Sequence, residues 1–158
     1  MLKNRSVPSD TLLSHVVYQD VDAAAAWLSR VFGFEEHYRY GGEGQDASGV
    51  QVHLGNAWVM LTRPRGRWAS PAQVGHGTQS LTVFVEDVQK HFERTKALGA
   101  EIVEELHLTE YGELQYGVVD FTGHHWLFSS NARDVDPREW GARVATGADE
   151  KQQDFDGR

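Results

Sequence analysis

Cysteine is missing from the chain altogether, which excludes disulfide stapling and thiolate chemistry. No apolar run approaches the roughly 18 residues that would suggest a membrane span. Basic residues are scarce: 15 Lys and Arg stand against 23 Asp and Glu, for a formal charge of −8. Nucleic-acid partners normally meet a basic face, so none is expected. The opening "MLKNRSVPSD" has a basic start with no apolar segment after it, and a secretory signal is not expected either. A cytoplasmic setting follows as the default. What remains is a globular composition, 40% hydrophobic and 24% charged over 158 residues. That is enough for one domain, or for two half-domains sharing a core.

The chain repeats itself. "SHVVYQDVDAAAAWLSRVFGF" (14–34) and "QSLTVFVEDVQKHFERTKALGA" (79–100) each read as an alternating strand, an Asp cap, an amphipathic helix and a glycine stop. The reading takes Asp22 and Asp87 as caps, because a carboxylate accepts the free amides of a first helical turn. The expected apolar faces are Ala23, Ala26, Trp27 and Phe32 in the first helix, and Val88, Phe92, Thr95 and Leu98 in the second. Gly33 and Gly99 tolerate the left-handed stop.

After each helix come three strand-like segments parted by turn residues. They are "FEEHYRY", "GVQVHLG" and "AWVMLTR" in the first copy, and "EIVEELH", "LQYGVVDF" and "HWLFSS" in the second. The fold class is therefore α+β: two tandem βαβββ modules forming a cupped mixed sheet, with helices on its outer face. The division is an N-terminal tail over 1–10, modules over 11–62 and 78–130, a linker or lid over 63–77 and a C-terminal extension over 131–158. The linker "RPRGRWASPAQVGHG" reads as irregular chain. In the extension, "RDVDPREWGA" suggests a short helix begun at Asp136 and Pro137, and the polar end "GADEKQQDFDGR" is expected to fray.

Over residues 11–130, the whole pattern resembles the vicinal oxygen chelate superfamily of glyoxalases, extradiol dioxygenases, fosfomycin-modifying enzymes and bleomycin-resistance proteins. The marks are "DVDAAAAWLSRVFGFE", "GNAWVMLTRP" and "YGELQYGVVDFTGHHWLFS". The chain departs from the resembling branch at Leu114, where arginine is common, and at Phe121, where proline is common. The resemblance implies a single domain over 11–130 and a homodimer. It also implies four metal-ligand positions, which carry over to His15, Met60, Ser80 and Leu127, with Val59 in place of Met60 if the register slips. Only His15 among these suits a borderline divalent ion, so no metal and no cofactor are expected.

Alternation sorts the strands into an apolar face toward the helices and a mixed face toward the cup. On the mixed face lie His15, Trp58, Met60, Ser80, His125 and Leu127. His124 is assigned to the turn. Trp68 on the linker serves as a lid over this wall, and His76, between two glycines, reads as a flexible corner. His37, His91 and His107 read as surface positions. Apolar area with a few inward polar groups is the usual make-up of a ligand site. The expected function is metal-free binding of a small molecule carrying an aromatic or cationic part. The alternative is an enzyme of the same superfamily (lyase, isomerase or dioxygenase-like) with a non-standard or absent metal centre. His15, His53 and His125 are the residues that could build a non-standard one.

Overall fold

The computed structural model describes residues 4, 5, 8, 11–43 and 46–145. Most of the N-terminal tail and the polar end expected to fray lie outside the described residues. Each repeat folds as a βαβββ unit. The first contains β1 (Ser14–Val17), α1 (Val21–Phe32), β2 (Glu35–Tyr40), β3 (Gly49–Leu54) and β4 (Ala57–Thr62). The second contains β5 (Ser80–Phe84), α3 (Val88–Ala97), β6 (Glu101–Leu108), β7 (Glu113–Val119) and β8 (His125–Asn131), with α2 (Pro71–Val74) between the units. The sheets run β1-β4-β3-β2 and β5-β8-β7-β6. The first strand of each unit lies parallel to the last, and the other pairings are antiparallel. This is the tandem βαβββ arrangement expected from the repeat.

Alternation places the core. Val16, Val50, Val52, Val59 and Leu61 of the first sheet are buried, as are Val83, Tyr116, Val118, Trp126 and Phe128 of the second. The two sets meet around α1. Phe32 lies 4.7 Å from Phe128 and 5.7 Å from Trp126 between ring centroids, and Phe34 lies 5.7 Å from Trp126. One apolar core therefore serves both units, and neither sheet buries its helix-side face alone.

Three sequence readings of the helices need correction, and one of the linker. The cap of α1 is Asp20, whose carboxylate accepts from the Ala23 amide at 2.9 Å. Asp22 sits in the first turn instead, accepting from the Ala47 amide at 2.7 Å and from Arg39 at 2.6 Å. The buried stripe is Val21, Ala24, Ala25, Leu28, Val31 and Phe32. Four consecutive alanines give no contrast between faces, so the larger residues decide. In α3 the Asp87 cap holds, accepting from Lys90 at 3.0 Å, but Leu98 is 40% exposed. The linker, read as irregular, contains α2, and Pro71 at its start is buried. A short 3-10 turn at Pro137–Trp140 follows the Asp136 cap as expected.

His91 is not a surface residue. Its Nε2 meets the Phe32 carbonyl at 2.8 Å and its Nδ1 meets the Tyr116 hydroxyl at 2.6 Å. Tyr116 is also within 2.9 Å of Thr95 Oγ1. A carbonyl only accepts, so Nε2 carries the proton, and the neutral ring accepts at Nδ1 from Tyr116. Burial foremost pushes the His91 pKa down, and it pushes the Tyr116 phenol up. The network ties α1 to α3 and β7.

Candidate functional site

"DFTGHHWLFS" (120–129) contains the point where the two units are locked. Asp120, 3% exposed, accepts from Tyr18 Oη at 2.8 Å and from Trp126 Nε1 at 3.1 Å. Its other oxygen takes the Thr122 amide at 3.0 Å, the Thr122 hydroxyl at 2.9 Å and the His124 amide at 3.0 Å. Five donors satisfy the buried carboxylate with no cation present. Burial foremost, with the Asp120 charge alongside, holds the Tyr18 phenol well above its ordinary pKa, so it stays a donor.

The adjacent histidines part company at this knot. His124 turns back to the first unit and donates from Nε2 to the Val17 carbonyl at 2.7 Å. His125 begins β8 on the opposite face, where its Nε2 lies beside Gly117 and Glu104 of the neighbouring strands. The expectation that only His125 faces a cavity is reversed. His124 lines a cleft, whereas His125 stands on the face of the second sheet opposite the buried Trp126 and Phe128 and lines neither of the clefts described below.

Two clefts divide the residues expected to form one wall. A seam cleft of about 510 Å³ separates the β1/β4 side from β5, and Trp58, Ser80 and Phe84 line it. No charged side chain does. A second cleft of about 460 Å³ lies between β1 and the linker and is lined by His15, Arg67, Trp68, His76 and His124 among others. Of the seven residues, then, Trp58 and Ser80 share the seam, while His15 and Trp68 share the linker cleft. Met60, paired with His15 across β1 and β4, is buried at 7% exposure and lines neither. Leu127 and His125 stay on the second sheet and also line neither.

Trp68 is positioned by a tight turn. Arg65 and Trp68 exchange backbone hydrogen bonds of 2.9 and 3.1 Å around Gly66, which takes φ 57°, a conformation glycine adopts freely. The Arg65 guanidinium lies 5.5 Å from the indole centroid. The indole meets His15 edge-on, with centroids 6.0 Å apart. The linker is seated on the Asp120 knot, because a Cβ at Gly123 would come 3.1 Å from Pro71 Cβ. Arg67 and His76, which this cleft adds to the predicted set, have no hydrogen bond or ion pair with any described residue. One signal for Arg67 was in the sequence: Arg63, Arg65 and Arg67 alternate in an otherwise acidic chain.

The donor set for the superfamily's metal does not fit. His15 and Met60 sit side by side on the first sheet, Ser80 and Leu127 lie on the second, and a thioether, a hydroxyl and a leucine accompany one imidazole. The alternative trio is dispersed as well. His53 stacks on Trp58 at 4.5 Å, with Nδ1 3.2 Å from the Gly55 carbonyl. Among the described residues, no group of three or more His, Cys, Asp or Glu is placed to hold a metal ion. No described helix is long and apolar enough to cross a membrane.

These features define a class, and comparison with known proteins gives the same answer. The chain belongs to the glyoxalase/bleomycin resistance protein/dioxygenase superfamily, whose family model matches residues 12–128. Among solved structures, TioX from Micromonospora sp. ML1 superposes with a TM-score of 0.67 at 33% identity, covering 78% of this chain and 99% of that one. A genomically encoded fosfomycin resistance protein, FosX from Listeria monocytogenes, shares the fold with a TM-score of 0.57 at 16% identity, covering 84% and 98%. An uncharacterized protein of Mycobacterium bovis is 28% identical over 144 residues, covering 87% of this chain and 94% of its own length.

Proposed function

We propose that the protein binds a small organic molecule, without a metal ion, in the cleft between β1 and the linker. The observation that carries this reading is the meeting of His15 and Trp68. A strand residue and a linker residue, far apart in the chain, come edge to face in a cleft of about 460 Å³. That volume falls within the range of ordinary ligand pockets. Trp68 is 46% exposed, so its indole offers a flat surface to an aromatic ligand, and His15 offers a hydrogen bond. Trp58, Met60, Ser80, His125 and Leu127 are left out of this site because they line the seam or neither cleft. The family's inclusion of bleomycin resistance proteins is compatible with a binding role. So is the poor donor set for the superfamily's metal.

The test is a fluorescence and calorimetry screen of planar aromatic compounds. Trp68→Ala should weaken any hit by about five- to a hundredfold, the worth of a desolvated aromatic contact, while Trp58→Ala leaves it unchanged. Added zinc should move the melting temperature little, since a specific site stabilises by mass action. Hits that bind both Trp68→Ala and His15→Ala as well as the parent would sink this reading. So would stoichiometric metal lost on His15→Ala.

The proposal also includes a homodimer in a cytoplasmic setting. β1 and β5 are edge strands, and Leu12 and Phe84 beside the seam are 74% and 59% exposed. Unpaired edges with apolar neighbours favour a partner. Light scattering that gave a clean monomer of 17.7 kDa would overturn the dimer.

A further inference from the structure

We infer that the linker cleft selects an aromatic carboxylate, not a neutral or cationic aromatic. The inference rests on the proposed binding site and names the chemistry of its occupant. Its ground is the sign of the groups around the cleft. The lining includes one guanidinium, Arg67, and three imidazoles, His15, His76 and His124, and no Asp or Glu. Such a cleft is unexpected by composition alone, since acids outnumber Lys and Arg by 23 to 15 along the chain.

The cations of the linker are differently committed. Arg63 is occupied, with Nε on the Ala47 carbonyl at 2.8 Å, and Arg65 lies over the Trp68 indole at 5.5 Å. Arg67 is held on the same Gly66 turn, with no hydrogen bond or ion pair to any described residue. A guanidinium presents a planar fork of donors that matches a carboxylate in bidentate geometry. Asp120, the buried acid among the described residues, is already satisfied by five donors and does not compete for Arg67.

The remaining wall suits the aromatic body. Val17, Ala69, Pro71 and Val74 supply apolar surface beside Trp68. Thr78 and Gln79 add neutral hydrogen-bonding groups at the same cleft. His124 is oriented by its bond from Nε2 to the Val17 carbonyl, so its ring is fixed before a ligand arrives, which lowers the entropic cost of binding. A cationic ligand would meet Arg67 with no counter-charge in the lining and would be disfavoured electrostatically.

The experiment uses three probes of one shape on the full chain: 2-naphthoate, 2-naphthamide and 2-naphthylmethylamine. Each is titrated by calorimetry and by tryptophan fluorescence. The carboxylate should bind about tenfold tighter than the amide, as a charge-assisted hydrogen bond provides, and the amine should be weakest. Arg67→Ala should erase most of that preference, weakening the carboxylate about tenfold more than the amide. Trp68→Ala should weaken carboxylate and amide by the same factor. If amide or amine binds as tightly as the carboxylate, or the preference survives Arg67→Ala, the inference is overturned while the binding site stands. If none of the three binds, the binding-site reading falls with it.

Discussion

Replacing Asp120 with alanine removes the acceptor that joins the two units. Two of its donors, Tyr18 Oη and Trp126 Nε1, belong to side chains that are 0% exposed. Stranding each costs about 1–3 kcal/mol, because neither can turn to water. The Thr122 and His124 groups are partly buried and recover solvent, so they add little. The expected loss is therefore about 2–6 kcal/mol, a large share of the roughly 5–15 kcal/mol by which domains are stable. For a chain of this length each kcal/mol lowers the midpoint by about 2–4 °C. Asp120→Asn should cost less, about 1–3 kcal/mol, because the amide keeps one acceptor while turning its NH2 toward other donors. Tyr18→Phe should cost about 1 kcal/mol, and the cycle of Asp120→Asn with Tyr18→Phe should show coupling of about 0.5–3 kcal/mol. Urea unfolding followed by circular dichroism measures the four variants against the parent, with unchanged m-values showing that the denatured state is unaltered. An Asp120→Ala protein within about 0.5 kcal/mol of the parent would refute the argument that this carboxylate is the lock between units, since that is the scale of ordinary surface substitutions.

Three further outcomes follow from single contacts. His91 has a folded pKa depressed by burial, so the unfolded chain binds more protons; its contribution is full above about pH 6.5 and is lost as pH falls below that value. Melting temperatures across that window should fall more steeply for the parent than for His91→Asn, and parallel curves would count against the buried network. Gly123→Ala should cost about 1–2 kcal/mol, since φ is 94° and Pro71 Cβ is 3.1 Å from the added methyl; a neutral result in thermal melts would mean that the linker yields there. Asp20→Ala should lose about 0.5–2 kcal/mol as a cap, whereas Asp22→Ala should act through Ala47 and Arg39 and leave helix content unchanged by circular dichroism.

Periodicity and punctuation in the sequence were enough to find two βαβββ units, because both are local properties of the chain. Val16, Val59, Val83 and Trp126 fell on the correct faces because side chains on a strand alternate wherever the strand lies. Asp87 was legible as a cap because, of the adjacent Glu86 and Asp87, only the aspartate is a residue type preferred at that position. "DVD" offered two, and the choice of Asp20 depends on where β1 ends, at the Tyr18 amide bonded to the Thr62 carbonyl. That is a long-range pairing no window of sequence contains.

The expected binding wall is divided in the structure for a related physical reason. Alternation assigns a side but not a distance, so His15, Trp58, Met60, Ser80, His125 and Leu127 could share a side without sharing a cleft. Their separation was decided by the packing of Phe32 and Phe34 against Trp126 and Phe128, which fixes one sheet relative to the other. The linker's path then brought Trp68 to His15. His124 and His125 are adjacent in the chain, yet their side chains meet different neighbours because Asp120, just after β7, holds the turn from which His124 reaches the Val17 carbonyl. The sequence supplied the residues and their sides; the shared core and the course of the linker decided which of them meet.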